Sequence, residues 1–192
     1  MARPREFDED DVVESAMRVF WDHGYEATSI RDLMLATGLA KGSVYKAFGD
    51  KRSLFRAALE RYLDEGEARL RTLVETKTGE DALREWLLSI AALAARKRAP
   101  RGCFAVNTSI EVAPHDPEVR KLLRTHTRRV EAHYARAIEQ GIDEGAFRSD
   151  LDPEAVAKWI FTFVHGLQAR ARAGIRASDA HALMEQTLRA LR

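Results

Sequence analysis

Residues 28–48 of this 192-residue chain, TSIRDLMLATGLAKGSVYKAF, decide the fold. Two short segments with helical spacing of apolar residues are separated by Gly38, which can take a left-handed turn conformation that a β-carbon disfavours. The apolar residues spaced to close a small core between the two helices are Ile30, Leu33, Leu39 and Val44. The stretch therefore predicts a helix-turn-helix, a unit that places its second helix in the DNA major groove.

The outward face of the second helix carries groups that suit a polyanion. Gly42 allows close approach to a duplex, and the hydroxyl of Tyr45 can donate to a phosphate oxygen. Thr28 and Lys51 lie at predicted helix N-termini, where unpaired N–H groups and the helix dipole favour an anion. We predict base contacts from Lys41 and Ser43, and phosphate contacts from Thr28, Tyr45, Lys46 and Lys51. The full predicted DNA-binding set is Thr28, Ser29, Lys41, Gly42, Ser43, Tyr45, Lys46 and Lys51.

Local charge supports this assignment, although the net charge of +1 for the whole chain does not. Residues 8–32 hold eight acidic and two basic side chains, whereas residues 41–61 hold six basic and two acidic ones. Because salt screens exposed charges beyond about 8 Å, the local sign decides what a surface attracts. Residues 63–192 hold 21 basic and 19 acidic side chains, a balance that does not indicate a second nucleic-acid surface.

Composition narrows the class of protein. Hydrophobic residues make up 45% and charged residues 32%, as in globular domains. No apolar run reaches the roughly 20 residues of a membrane helix, and the N-terminus lacks the apolar region of a secretory signal. A single cysteine, Cys103, excludes an intramolecular disulfide framework and fits a reducing cytoplasm. We expect a cytoplasmic protein with no membrane partner.

Helical periodicity runs through the whole chain, and no segment alternates like a strand. We predict an all-α fold of about nine helices, with a three-helix DNA-binding domain at residues 1–65 and a larger helical domain at residues 66–192. Asp50 is expected to cap the fourth helix, Pro100 to stop the fifth, Pro153 to begin the eighth and Ser178 to cap the ninth.

The N-terminal motifs closely resemble the DNA-binding domain of the tetracycline-repressor (TetR) family over about residues 7–63. The resemblance rests on the runs TSIRDL from Thr28, TGLAKGSVYKAF from Thr37 and DKRSLF from Asp50. It implies a homodimer whose N-terminal domains bind a near-palindromic operator and whose C-terminal domains dimerise and bind a small-molecule effector. The resemblance also implies that the protein represses transcription and that the effector relieves this repression. Three positions depart from the pattern: Ala40 lacks the usual capping hydroxyl, Met34 replaces a small residue and Ala47 replaces a frequent histidine.

Candidate effector contacts in the larger domain come from the residues alone. Cys103 beside Arg101 at a helix start is expected to have a lowered pKa and react with electrophiles or oxidants, unless it is simply a small buried side chain. Asn107 and Glu111, one turn apart, either orient a ligand or form an interhelical hydrogen-bonded pair. Aromatic residues either line a pocket or fill the core. The predicted ligand-binding set is Trp86, Cys103, Phe104, Asn107, Glu111, Tyr134, Trp159 and Phe163.

The last two helices are the predicted dimer surface, as the resemblance implies. Gly166 allows a second helix to approach closely, and an apolar stripe is supplied by Leu183, Leu188 and Leu191. The alternative is that part of this stripe packs within the same subunit.

We predict no metal and no cofactor, because His126 and His133 lie about 10 Å apart along their helix. No catalytic triad or phosphate-binding glycine loop occurs, so an enzyme is not expected. The alternative function is a DNA-binding regulator without a ligand, whose larger domain would be tightly filled.

Overall fold

The computed structural model describes residues 8–95 and 101–192, and within these ranges every regular element is an α-helix. The helices are α1 Glu9–His23, α2 Ile30–Thr37, α3 Lys41–Phe48, α4 Lys51–Thr76, α5 Gly79–Ala94, α6 Phe104–Glu111, α7 Pro117–Asp143, α8 Pro153–Ala171 and α9 Ala177–Arg189. This confirms the all-α prediction. None of the described helices is both long and apolar enough to cross a membrane.

The N-terminal unit packs α1, α2 and α3 against the first half of α4. Each helix turns its apolar stripe inward, so that Phe20, Leu33, Val44 and Phe55 share one buried cluster. Burying side chains of this size stabilises the unit by roughly 1.5–3 kcal/mol each. Gly38 ends α2 in the left-handed conformation with φ of 70°, as the turn requires. The short α2 and α3 are thereby held at a fixed angle.

Helix α4 joins the two halves of the molecule. Its 26 residues span about 39 Å at 1.5 Å per residue. The carboxylate of Asp50 caps it by accepting a hydrogen bond from the Ser53 backbone N–H over 2.7 Å, as predicted. Leu63 belongs to the N-terminal apolar cluster, whereas Leu70 belongs to the C-terminal one. The change of cluster therefore falls within α4, between these two leucines.

The larger half is built from α4, α5, α7, α8 and α9 around a second apolar cluster. Leu83, Tyr134, Ile160 and Met184 lie at its centre. Gly79 at the start of α5 packs so closely on α7 that a β-carbon there would collide with the carbonyl oxygen of Ala137. Helix α6 is different, because its buried residues join the N-terminal cluster. It therefore lies between the two halves.

Helix boundaries agree with the sequence in most places and differ in a few. Pro153 is the first residue of α8, as expected. Helix α9 begins one residue before Ser178, with Arg176 at the capping position and no side-chain cap, so the predicted role of Ser178 is wrong. The fifth helix ends at Ala94, and Pro100 lies outside the described residues.

Candidate nucleic-acid interface and effector cavity

Helix α3 presents most of the predicted DNA-binding face to solvent. Val44 is buried against the unit's core, and this fixes which side of the helix points outward. Lys41, Gly42 and Lys46 are exposed and Ser43 is half-buried. The ring of Tyr45 is 39% exposed. Ala40, at the capping position, makes no side-chain cap, as the missing hydroxyl implies.

The structure divides the basic segment 41–61 between two tasks. Arg52 forms a bidentate ion pair with Asp116, the residue that caps α7, with N–O distances of 2.7 and 2.9 Å. Arg56 donates to Glu118 over 2.5 Å. Arg61 donates to Glu14 of α1 over 3.0 Å. These three arginines therefore join structural elements, and their charge is balanced locally.

Three lysines keep the positive charge on the outer face. Among the described residues, Lys41, Lys46 and Lys51 have no carboxylate partner. The ammonium of Lys51 lies 4.4 Å from the ring centroid of Tyr25, and that of Lys41 lies 5.9 Å from the ring centroid of Tyr45. Contacts with ring faces leave an ammonium able to donate to a phosphate oxygen. The basic footprint is thus smaller than the sequence count indicates and is concentrated around α3.

Thr28 and Ser29 have structural roles at the entry to α2. The Thr28 side chain is buried, and its hydroxyl donates to the carbonyl of Gly24 over 2.6 Å. Ser29 is the N-cap, and it shares a capping box with Asp32, whose carboxylate accepts from the Ser29 backbone N–H over 2.8 Å. Thr28 as a whole is 1% exposed and its hydroxyl is engaged, so its position gives no support to the phosphate contact predicted for it.

Helix α6 is attached to the N-terminal unit at both ends. At its C-terminal end, the carboxylate of Glu111 accepts hydrogen bonds from the backbone N–H groups of Tyr25 and Glu26 over 3.2 and 2.9 Å. Just before its N-terminal end, the carbonyl of Gly102 accepts from the Trp21 indole N–H over 3.1 Å. Hydrogen bonds therefore join the ends of α6 to α1 and to the turn that precedes α2.

Asn107 and Glu111 were predicted ligand contacts, and both are bonded to backbone groups of the described residues. The Asn107 side-chain amide donates to the carbonyl of Arg101 over 2.8 Å, and Glu111 holds the turn described above. The alternative raised from the sequence, a pair that joins elements, describes these two residues. Phe104 is also a core residue, since it packs edge-on against Phe55 and Tyr62.

A cavity of about 90 Å³ lies among α4, α5, α6, α7 and α8. Of the predicted ligand-binding set, it brings together Trp86, Cys103 and Tyr134. The indole N–H of Trp86 donates to the hydroxyl oxygen of Tyr134 over 2.8 Å. The remaining wall is mainly apolar and comes from residues such as Ile90, Val130 and Val164. Sequence reasoning therefore found the aromatic corner of this cavity.

Cys103 differs from its prediction. Its thiol is buried, and burial raises its pKa, which overturns the expected lowering by Arg101 and the helix start. The hydroxyl of Tyr62 donates to its sulfur over 3.4 Å. The ion-pair partner of Arg101 is Asp22 of α1. Cys103 is thus a neutral, packed wall residue, which is the alternative that the sequence left open.

The cavity-wall residues that sequence reasoning missed include three with polar groups, Tyr62, His126 and His165. In the sequence, Tyr62 fits the apolar spacing of α4 and so resembles an ordinary core residue. His126 and His165 lie on different helices, so no local sequence pattern relates the two histidines. His126 and His133 both face Glu67 of α4, with N–O distances of 3.8 and 3.7 Å. The described residues contain no group of three or more potential metal ligands.

The predicted dimer-surface residues separate into two groups. Leu188 and Leu191 are each 1% exposed and pack in the protomer's own core, so the expectation of a surface role is corrected for both. Leu183 is half-buried against the same core. Gly166 is exposed, with open space where a β-carbon would be. The intrasubunit alternative thus takes most of the leucine stripe.

Trp159 and Phe163 lie on the outside of α8 and not in the cavity. Trp159 is 45% exposed, and the two rings stack with centroids 6.1 Å apart. They stand one turn apart, and Gly166 follows on the same side of the helix. The ligand role predicted for these two aromatics has no support from their position.

Helix α3 faces outward, and its lysines have no carboxylate partner among the described residues. Its unit is joined to a helical domain that encloses a cavity, and this combination defines a helix-turn-helix regulator. Comparisons with known proteins agree. Residues 12–58 match the family model of bacterial regulatory proteins of the tetR family, and residues 79–190 match the tetracyclin repressor-like C-terminal domain. The chain therefore belongs to the TetR family, as its motifs indicated, and it is a DNA-binding transcriptional regulator rather than an enzyme.

Two relatives illustrate the likeness. The chain is 32% identical to the HTH-type transcriptional repressor ComR of Escherichia coli (strain K12), an alignment covering 97% of this chain and 90% of ComR. It is 26% identical to the HTH-type transcriptional repressor AcnR of Corynebacterium glutamicum, covering 93% of this chain and 91% of AcnR. Among solved structures, a cysteine-substituted TetR-family regulator CifR in complex with a 26-base-pair operator duplex superposes with a TM-score of 0.85 at 31% identity, and the match covers both chains fully.

Proposed function

We propose that the protein is a homodimeric repressor that a small molecule releases from a near-palindromic operator. The observation that carries the proposal is the set Lys41, Lys46 and Lys51 around the exposed face of α3, none of which has a carboxylate partner among the described residues. Two of its relatives are named repressors, and a structural neighbour is bound to operator DNA. A repressor acts on the chromosome, so we place it in the bacterial cytoplasm.

The DNA contacts follow from which groups α3 leaves free. Lys41 and Ser43, on the first turn of α3, are assigned to base edges. Tyr45, Lys46 and Lys51 are assigned to phosphates, which position the protein without reading sequence. Gly42 allows the backbone to come close. Thr28 and Ser29 support these contacts indirectly, Thr28 through its hydrogen bond to Gly24 and Ser29 by capping α2.

The dimer surface is proposed to centre on the outer face of α8. Trp159 and Phe163 offer stacked aromatic area, and Gly166 lets a second helix approach closely. Leu183 of α9 lies beside the core and contributes its exposed part. A two-fold dimer sets the two α3 helices about 34–36 Å apart, one turn of DNA, so that each enters a major groove.

The route from effector to DNA is proposed to run through α6. Cys103, at the start of α6, forms part of the cavity wall, and Glu111, at its end, holds the turn before α2. An effector that prefers a shifted α6 weakens DNA binding by its difference in affinity for the two states. The hollow interior favours this reading over a ligand-free regulator. We place the boundary between the two domains, residues 1–65 and 66–192, within α4.

The test is selection of duplexes from a random pool by the full-length protein. The expected product is a near-palindromic site with half-site centres one helical turn apart, bound with an affinity that falls steeply as salt rises. Lys41→Ala should change the selected bases, whereas Lys121→Ala on the exposed surface of α7 should not. A pool that yields no enriched site, or binding without salt dependence, would overturn the proposal.

A further inference from the structure

The cavity among α4–α8 has an electrically neutral wall. Burial lowers the pKa of His165 to about 4 and also lowers the pKa of His126, so both imidazoles are uncharged at neutral pH. Burial raises the pKa of Tyr62, Cys103 and Tyr134, so these groups keep their protons. The carboxylate of Glu67, which faces His126, also faces Arg129 over 3.7 Å. A charged ligand would therefore leave water without meeting an unpaired counter-charge, which costs several kcal/mol.

The positive charge of Arg69 lies near the cavity and does not change the neutrality of the cavity wall. Arg69 of α4 contributes to the lining, but its side chain is exposed and donates to the backbone carbonyl of Glu65 over 3.3 Å. Its charge therefore stays hydrated at the mouth. An exposed ion pair at that position would contribute about 1 kcal/mol or less, too little to offset the burial of an anion.

The volume limits the size of the occupant. An apolar cavity of about 150 Å³ accommodates benzene, and this one measures about 90 Å³. In proportion, it holds a molecule of about four non-hydrogen atoms. Such a ligand, at the best efficiencies of about 1.5 kcal/mol per atom, reaches micromolar affinity at most.

Two polar side chains of the wall have hydrogen-bonding capacity that the described residues leave unused. The buried Nδ1 of His126 has no hydrogen-bond partner among them, although Oε2 of Glu67 lies 3.8 Å away. Tyr134 accepts from Trp86, and no described residue accepts the hydroxyl hydrogen of Tyr134. Either group can bond to one ligand oxygen, a hydroxyl or a carbonyl.

We propose that the effector is a small uncharged alcohol, ketone or aldehyde, with its oxygen near His126 or Tyr134 and its carbon chain against Ile90 and Val164. This assignment rests on the proposed function, since it names the molecule that occupies the effector cavity. The buried polar atoms give the site its selectivity, because an analogue of the same size without oxygen leaves them unpaired.

The decisive measurement is calorimetric titration of the full-length protein with five probes of matched size. These are 1-propanol, acetone, 1-chloropropane, acetate and propylammonium, at neutral pH. We expect the alcohol or the ketone to bind at least tenfold more tightly than both ions and the chloride. Equal or tighter binding of 1-chloropropane, acetate or propylammonium would overturn the assignment, as would the failure of every probe to bind a protein that still binds DNA.

A blocked cavity locates the binding. Gly66 of α4 lines the cavity and has open space where its β-carbon would be, so Gly66→Leu fills space and also suits the helix. We expect this variant to lose probe binding while keeping operator affinity, and Ala132→Leu, which adds the same bulk on the exposed surface of α7, to keep both. Undiminished binding in Gly66→Leu would contradict the proposed position.

Operator release separates this assignment from the proposed function. If 1-propanol or acetone binds in the cavity and the operator complex also dissociates, both proposals hold. If the same probe binds with the predicted selectivity and the complex stays intact, the ligand class stands and the effector mechanism is wrong.

Discussion

Glu111 accepts a hydrogen bond over 2.9 Å from the backbone N–H of Glu26, and this contact joins the end of α6 to the turn before α2. The same carboxylate accepts from the N–H of Tyr25 over 3.2 Å. Gly24 makes room for it, because a β-carbon there would lie 2.7 Å from a carboxylate oxygen, and its φ of 83° suits only glycine well. The turn and the acid therefore fit as one unit.

We predict that Glu111→Ala loosens the attachment of the DNA-binding unit. Removing the carboxylate leaves two backbone N–H groups without their acceptor, which should lower the free energy of unfolding by about 1–2 kcal/mol. It should also weaken the link between cavity and α2, so an effector would release less operator. Urea denaturation measures the first effect, and operator titration with and without effector measures the second.

Glu111→Gln is the matched variant, since its amide oxygen still accepts one of the two bonds. It should lie between wild type and Glu111→Ala in both measurements. If Glu111→Ala kept full stability and full effector response, the contact would have no part in coupling.

We predict that Lys46→Ala and Lys51→Ala weaken operator binding almost equally on every sequence. Each lysine is assigned to one phosphate per half-site, so its loss should reduce the salt slope by about 2 for a dimer. Lys41→Ala should instead alter the preferred bases. Fluorescence anisotropy over a range of salt concentrations, on cognate and altered duplexes, distinguishes these effects.

Lys77→Ala serves as the control, because it removes a lysine at the opposite end of α4, about 39 Å from Lys51. It should leave the salt slope unchanged. An unchanged slope in Lys51→Ala as well would mean that this ammonium serves only its contact with the Tyr25 ring.

The sequence predicted the fold and the DNA-binding face because both depend on local patterns. Helical spacing, Gly38 and the Asp50 cap act over a few residues, so Val44 inward and Lys41 outward could be derived from the chain alone. The sequence alone could not distinguish Lys41, Lys46 and Lys51, which have no carboxylate partner among the described residues, from the paired Arg52 and Arg56. Those arginines meet acids more than 60 residues away, and a local charge count does not include them.

The larger domain was predicted less well because its roles depend on packing between distant helices. Leu188 and Trp159 both stand on amphipathic helices, yet the first is buried within the protomer and the second is exposed. The pKa of Cys103 was expected to fall because Arg101 precedes it, but the arginine turns to Asp22 and burial decides the outcome. Glu111 was found as a functional candidate, although its partner is a backbone turn rather than a ligand.

We predict that the contribution of Asp116 to stability disappears in acid. Hydrogen bonds from Arg52 hold the pKa of this carboxyl well below its usual value. A lowered folded pKa stabilises the protein above the unfolded value of about 3.9, and the effect is lost as pH falls through the folded pKa. The difference in urea midpoint between wild type and Asp116→Asn should therefore be largest near neutral pH and shrink steadily below about pH 4.

Asp152→Asn is the matched control for this series. Asp152 caps α8 as Asp116 caps α7, through backbone N–H groups, and no arginine of the described residues pairs with it. Its difference from wild type should change less with pH. Parallel pH profiles for the two variants would show that the cap, and not the Arg52 pair, sets the stability at this site.

We predict that Trp159→Ala breaks the dimer while leaving the protomer folded. The indole is about half exposed and stacks on Phe163 at the surface of α8, so its removal leaves the core untouched but takes a large aromatic anchor from the proposed interface. Central tryptophans of this kind contribute about 2 kcal/mol or more, which corresponds to at least a thirtyfold rise in the dimer Kd. Sedimentation equilibrium measures this directly. Operator affinity should fall as the dimer dissociates, because a monomer binds one half-site only.

Ile110→Ala is the control for this prediction. It removes another exposed apolar side chain, on α6, and should leave the dimer intact. The opposite pattern, with Ile110→Ala dissociating and Trp159→Ala staying paired, would move the interface from α8 to the face that carries α6.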